Sequence, residues 1–366
     1  MKSDKRYILI CLPFLIILFG TMLFQTFSSD KELSAYERRK LEKFPEITVE
    51  NISTGRFFEK LERYFQDQFP ARDKLRGLKN SVNLLLFLKQ DTNNLFLDGD
   101  EIYYIEYPLD EKSILNAAKK FNTIYDMYFD ETNRCYCSVI PDKTYYNPNG
   151  RPVMDYELME KLLVENVKNM DYINLFDTLD KSDYYLTDSH WKQENLQDVV
   201  NALAQGMNFV PADFSKYNAN HMGEWGGVYY GRLAMDTPKD SMIYLTNSVI
   251  ENAKVYNYET QKYMQVYATE KFEQDLDKYN IFLSGPESLI TIYNHNAKTE
   301  KELIIFRDSF GSSLAPMLLE SYKSITLVDL RYISASMLAD YIEFKNKDIL
   351  FLYSAAILNN STGLKV

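Results

Sequence analysis

The sequence predicts an α/β fold: a parallel sheet flanked by helices, carrying a β-rich insertion and preceded by a transmembrane helix. Three observations predict it. Apolar runs of strand length alternate with amphipathic stretches of helix length, most regularly over residues 288–353. A Gly- and Tyr-rich excursion interrupts that alternation from 209 to about 280. Near the N-terminus, Lys2, Lys5 and Arg6 precede a run from Tyr7 to Phe27 that carries no charge.

That run comes first in the chain. A helix needs roughly 20 apolar residues to cross the hydrocarbon core, and signal-peptide cores are shorter. No small-residue cleavage pattern follows it; the chain reads Phe24-Gln25-Thr26-Phe27-Ser28-Ser29-Asp30. Pro13 and Gly20 are tolerated in a membrane helix. The positive flank places the N-terminus in the cytoplasm, so a single-pass membrane protein with an extracellular C-terminal domain is expected. A cleaved signal peptide is the alternative, and it too exports the bulk of the chain. The expected organisation is a cytoplasmic tip and signal anchor over 1–28, a helical stalk over 29–92, and an α/β domain over 93–366.

In the stalk, a charged stretch over 31–43 precedes a run with helical spacing from Phe57 to Phe65. Phe69-Pro70 breaks it, and a second helical run covers Asp73 to Lys89. Beyond the stalk, 95–104 reads as a hairpin turning at Asp98-Gly99. A helix is expected over 111–129 and a buried strand over 136–140, ending at Pro141-Asp142-Lys143. Another helix follows over 156–170, then a short strand over 172–176. The next helix, 191–207, has Asp188 or Ser189 available as a cap. After the excursion, strands at 288–293, 302–307, 324–329 and 348–353 alternate with helices at 312–322 and 336–344. Such a sheet places its site at the carboxyl ends of its strands.

Composition narrows the function. Hydrophobic residues make up 46% and charged residues 25%, the profile of a folded protein, and a net charge of −11 argues against a nucleic-acid surface. The three cysteines, Cys11, Cys135 and Cys137, form no disulfide framework, and no Cys or His spacing suggests a metal. No cofactor is expected.

Two segments carry chemistry. Glu302 to Phe310 reads as strand, sharp turn and helix start, which presents Ser309 at a strand end with the N–H groups of Ser309 and Phe310 facing any oxyanion formed there. An ordinary N-cap serine is the competing reading. A serine needs a base, and His190 can supply it, with Asp188 two residues earlier holding the imidazole. His221 and His295 have no Asp so placed. Lys143, at a strand end, is a candidate contact for an anionic glycan. Arg331 is a candidate contact for substrate or oxyanion, and Trp191 a candidate platform for a sugar or a residue packed behind the histidine.

Asp188-Ser189-His190-Trp191, followed by Asp308-Ser309-Phe310, resembles the DHHW proteins of Gram-positive bacteria. These are similar to the alginate and cell-wall polysaccharide O-acetyltransferases with an SGNH-hydrolase-like domain. The likeness extends over the anchor, Tyr64–Arg72, Leu95-Phe96-Leu97, Pro141-Asp142-Lys143, Gly226–Tyr230 and Asp329-Leu330-Arg331-Tyr332. Ser189 stands where the family motif has its first histidine, and Arg307 where the SGNH serine block has glycine. The resemblance implies an SGNH-like fold, a triad of Ser309, His190 and Asp188, and acetyl transfer to a cell-surface polysaccharide through an acyl-serine. It also implies a membrane-bound O-acyltransferase partner that supplies acetyl groups. A polysaccharide acetyl esterase with the same triad and a non-catalytic envelope glycan-binding scaffold are the alternatives.

Overall fold

The computed structural model describes residues 2–366, except for the side chains of residues 2–6, 17, 18, 22 and 26. It resolves into two compact units. One holds the residues up to Thr92 together with Tyr230–Thr237; the other holds Asn93–Tyr229 and Pro238–Val366.

The first unit is helical. α1 (Lys2–Phe27) contains the apolar window Tyr7–Gln25, long and apolar enough to cross a membrane. A signal sequence passes the same test. α2 (Arg56–Asp67) and α3 (Arg72–Ser81) meet at Ala71, whose left-handed φ of 55° turns the chain sharply after Pro70. Asp67 organises this joint, accepting from both Arg39 Nη atoms at 2.8 and 2.5 Å and from the Glu42 N–H at 2.9 Å. A single π-turn, Val82–Leu86, prolongs α3.

The second unit is built on eight strands: β1 (Arg134–Ile140), β2 (Asp171–Tyr172), β3 (Lys254–Asn257), β4 (Lys262–Met264), β5 (Leu289–Tyr293), β6 (Glu302–Arg307), β7 (Ser324–Val328) and β8 (Asp348–Ser354). Their order is β4-β3-β5-β7-β6-β8-β1-β2. The five strands from β7 to β2 are parallel, and β5, β3 and β4 complete the sheet in antiparallel pairs. Two strands of the 209–280 excursion therefore extend the main sheet. The excursion also forms a separate hairpin of Asn218–Trp225 with Asp240–Thr246.

The all-apolar central strands reflect burial on both faces. Side chains alternate across the pleat. Leu303, Ile305, Leu350 and Leu352 join one core with Val199, Val200 and Leu203 of α6 (Gln197–Met207). Ile304, Phe306, Ile349 and Phe351 join the other with Ile114 and Phe121 of α4 (Glu111–Tyr128) and Met159 of α5 (Tyr156–Asn166). Asp110 and Asp155 cap α4 and α5 through side-chain bonds to the Ser113 and Leu158 N–H groups, which is why these two helices start where they do.

Several helices are shorter than periodicity predicts. α6 starts at Gln197 rather than Trp191, and neither Asp188 nor Ser189 caps it, because residues 184–191 close on themselves as a loop. The helix after Ser309, α7 (Phe310–Leu314), passes into 3-10 turns over Ala315–Ser321, where Pro316 lacks the N–H a regular helix needs. The segment 336–344 holds a 3-10 turn, Ala335–Asp340.

Candidate active site

β6 delivers Asp308 and Ser309 to its carboxyl end. The Asp308 carboxylate is buried and accepts three bonds: the Phe310 N–H at 3.0 Å, and the Ser354 N–H and hydroxyl at 2.8 and 2.7 Å. It thereby ties the turn to the end of β8. Ser309 opens α7, yet its hydroxyl makes no capping bond. The Oγ lies instead 2.7 Å from His190 Nε2. Arg307 fits beneath this turn because residue 311 is glycine; a Cβ there would come within 2.8 Å of the Arg307 Cβ.

His190 arrives from a loop rather than a regular element. Tyr184 and Trp191 form an antiparallel bridge, and the Tyr185 N–H donates to the His190 carbonyl at 3.1 Å, so the intervening residues form a narrow finger. Asp240 fixes the finger's near side. It accepts from the Leu186 N–H at 2.6 Å, and from the Thr187 N–H at 2.8 Å and hydroxyl at 2.5 Å. Burial nevertheless raises the Asp240 carboxyl above its ordinary pKa, with those three donors pulling the other way.

At the tip, Asp188 Oδ1 lies 2.6 Å from His190 Nδ1 and accepts the His190 N–H at 3.1 Å; Oδ2 accepts the Val228 N–H at 2.6 Å. Residue 227 must be glycine for that approach, since a Cβ would lie 2.4 Å from both the Asp188 Cβ and the Thr187 carbonyl oxygen. Asp188, His190 and Ser309 are thus brought into one hydrogen-bonded line, although His190 and Ser309 stand 119 positions apart in sequence.

The imidazole is also walled. Tyr279 stacks on it at 3.8 Å with planes 13° apart, and Phe310 lies at 4.8 Å, tilted by 46°. The Tyr279 hydroxyl donates to Ser313 Oγ at 2.7 Å, and the Trp191 indole N–H donates to the same oxygen at 2.8 Å. His190 keeps a side-chain exposure of 12%.

Four sequence expectations change. Trp191 is fully buried, with its ring edge-on to Phe310, so it packs behind the histidine and offers no platform to a sugar. Lys143 is also buried. Its ammonium pairs with Glu101 at 3.0 Å and donates to the Tyr185 and Leu186 carbonyls at 3.0 and 3.2 Å, so it props the finger from within and cannot meet a glycan. Burial lowers its pKa, against the pull of Glu101. Arg331 is committed to Asp329 through a two-pronged contact of 2.9 and 2.7 Å, on a carboxylate that also faces Arg307 at 3.5 Å. The Phe310 N–H is taken by Asp308, so it does not stand open to an oxyanion. The Ser309 N–H makes no hydrogen bond among the described residues.

Sequence reasoning missed Asp240, Ser354, Ser313 and Tyr279. Among the described residues no group of His, Cys, Asp and Glu is placed to hold a metal ion.

Neither a protein-family model nor a curated protein matches the sequence. Solved structures do share the fold. A DHHW family protein from Eubacterium siraeum matches with 19% identity and a TM-score of 0.61, over 75% of this chain and 95% of that one. PatB1 of Bacillus cereus matches with 16% identity and a TM-score of 0.56, over 72% and 96%. PatB1 solved with a sulfonyl adduct gives 17%, 0.56, and 72% and 97%. The chain thus shares its fold with these proteins over about three quarters of its length.

Proposed function

We propose that this chain is a serine-dependent acyltransferase that moves acetyl groups to a cell-surface polysaccharide outside the membrane. The observation that carries the reading is the line from Ser309 Oγ to His190 Nε2 (2.7 Å) and from His190 Nδ1 to Asp188 (2.6 Å). A hydroxyl within that reach of a base, itself oriented by a buried carboxylate, is the arrangement nucleophilic catalysis requires. The likeness to a DHHW family protein and to a protein solved with a sulfonyl adduct agrees with it.

In this reading Ser309 Oγ attacks the carbonyl carbon of an acetyl donor while His190 Nε2 takes its proton. The Ser309 N–H, which makes no hydrogen bond among the described residues, is the donor available to the oxyanion. Collapse of the tetrahedral species expels the donor's alcohol, which takes the proton from His190. A sugar hydroxyl then attacks the acetyl-serine, with His190 again removing the proton, and Ser309 is regenerated. Asp188 keeps Nδ1 protonated throughout, so Nε2 is the basic nitrogen when Ser309 reacts. Tyr279 covers one face of the imidazole and Phe310 packs against it at a tilt, which limits the approach of water to the ring. Apolar α1 is the retained anchor, and a membrane-bound O-acyltransferase is the partner that delivers acetyl groups.

The test is Ser309→Ala in cells with measurement of glycan O-acetyl content. Unchanged acetylation sinks the proposal. Incubating the purified chain with an acetyl ester, with and without glycan, separates transfer from hydrolysis: transfer yields acetylated glycan, whereas an esterase yields only acetate.

A further inference from the structure

The helical unit leaves apolar side chains exposed along both of its helices. On α2, Phe58 and Phe65 are exposed at a two-turn spacing, and Phe69 follows in the joint. On α3, Leu75 and Leu78 are exposed, and the stripe runs on to Leu85 and Leu86 at the π-turn. Phe65, Phe69 and Leu75 floor an open groove of about 540 Å³ between the two helices. Isolated exposed apolar residues need no explanation, but a stripe at helical spacing that runs across two helices does.

The position of this face relative to α1 is fixed. Gln25 Nε2 donates to the Phe65 carbonyl at 3.4 Å, Tyr64 donates to Asp30 at 2.9 Å, and Lys31 and Gln68 exchange two bonds of 2.9 Å. The C-terminal turn of α2 is therefore fastened to the chain where the apolar window Tyr7–Gln25 ends, at the level of the hydrocarbon boundary. Charge points the same way. Residues 56–81 carry seven Lys and Arg against four Asp and Glu, in a chain of net charge −11. A basic amphipathic hairpin at the mouth of a membrane span has the composition of an interfacial element.

We propose that α2 and α3 lie in the interfacial layer of the bilayer that α1 crosses, with Phe65, Phe69 and Leu75 among the acyl chains and Lys74 and Lys79 among anionic headgroups. The inference rests on α1 being retained as an anchor. It makes the stalk a second membrane contact rather than a water-exposed spacer.

The test uses the full chain reconstituted into phosphatidylcholine–phosphatidylglycerol vesicles whose acyl chains are brominated near the headgroup. F65W and L75W are compared with F14W in α1 and with the parent, whose Trp191 and Trp225 are buried. At least half of the emission added by F65W and L75W is expected to be quenched, as for F14W with the bromine placed deeper. Quenching of F14W alone overturns the interfacial proposal and leaves the anchor standing. Loss of quenching in F14W removes the anchor and the proposal with it. Blue-shifted F65W emission that brominated lipid does not quench means that protein covers the face, which also overturns it.

Discussion

The serine and the histidine are held by two buried aspartates of matching design on unlike scaffolds. Asp308 accepts two backbone N–H groups and a hydroxyl, and so does Asp240. On the serine side the clamp reinforces a turn already aimed by β6, with β7 and β8 paired on either side. On the histidine side the clamp holds an irregular finger whose only ladder is the single bridge of Tyr184 and Trp191. Position is thus inherited from the sheet in one case and assembled from side chains in the other, and the assembled half is the more vulnerable.

The largest expected effect tests whether the two halves act as one device. His190→Ala should slow acylation of Ser309 by an acetyl ester by about 10³-fold or more. A loss under tenfold would mean that the 2.7 Å contact is not used. The two clamps come next. Asp240→Ala should lower the same rate by about 10²-fold, because a 1 Å shift of a reacting group is enough for that. Asp308→Ala should cost visibly less activity, since the sheet still aims the turn; equal losses would break the comparison.

Finer substitutions sharpen it. Gly227→Ala forces a methyl group against Asp188 and the Thr187 carbonyl, so the Thr187 backbone must shift; it should cut kcat about tenfold or more and lower the melting temperature as well. Tyr279→Leu removes the ring stacked on His190 and should cut kcat about tenfold at constant KM, whereas Tyr279→Phe keeps the ring and should retain most activity.

The last prediction concerns stability rather than rate. Burial pushes the Glu194 carboxyl up from 4.5 to about 7, and its Oε2 has no hydrogen-bond partner. The folded state then binds this proton more tightly than the unfolded chain does, so stability falls as pH rises from about 4.5 to about 7. Glu194→Gln should flatten that decline and stabilise the chain at pH 8 by up to about 3 kcal/mol, read from denaturant melts at several pH values.

The sheet was legible because Leu303–Phe306 and Ile349–Tyr353 are apolar without a break, and only a strand buried on both faces requires that. Asp188 and His190 were legible because their spacing is local. The clamps were not. Asp240 lies 53 residues from Thr187 in a turn-rich excursion, where an aspartate reads as an ordinary surface residue. Tyr279 is one of 29 tyrosines, and nothing nearby in sequence marks it as the one over the imidazole. Lys143 misled because a lysine at a strand end looks solvated, and the carbonyls it serves come from Tyr185 and Leu186, more than 40 residues on. The Phe310 N–H misled for the opposite reason: its competitor, Asp308, stands two residues away, and sequence does not say which acceptor wins.

Ser313 accepts from Trp191 and Tyr279 and donates to the Phe310 carbonyl at 3.3 Å, so its hydroxyl has no unused valence. Through that one oxygen, the residue beside the histidine in sequence and the residue stacked on it in space are both referenced to the helix that begins at the serine. Base and nucleophile share a common datum. Trp191 and Tyr279 thus tie the surroundings of the histidine directly to the helix that carries the serine.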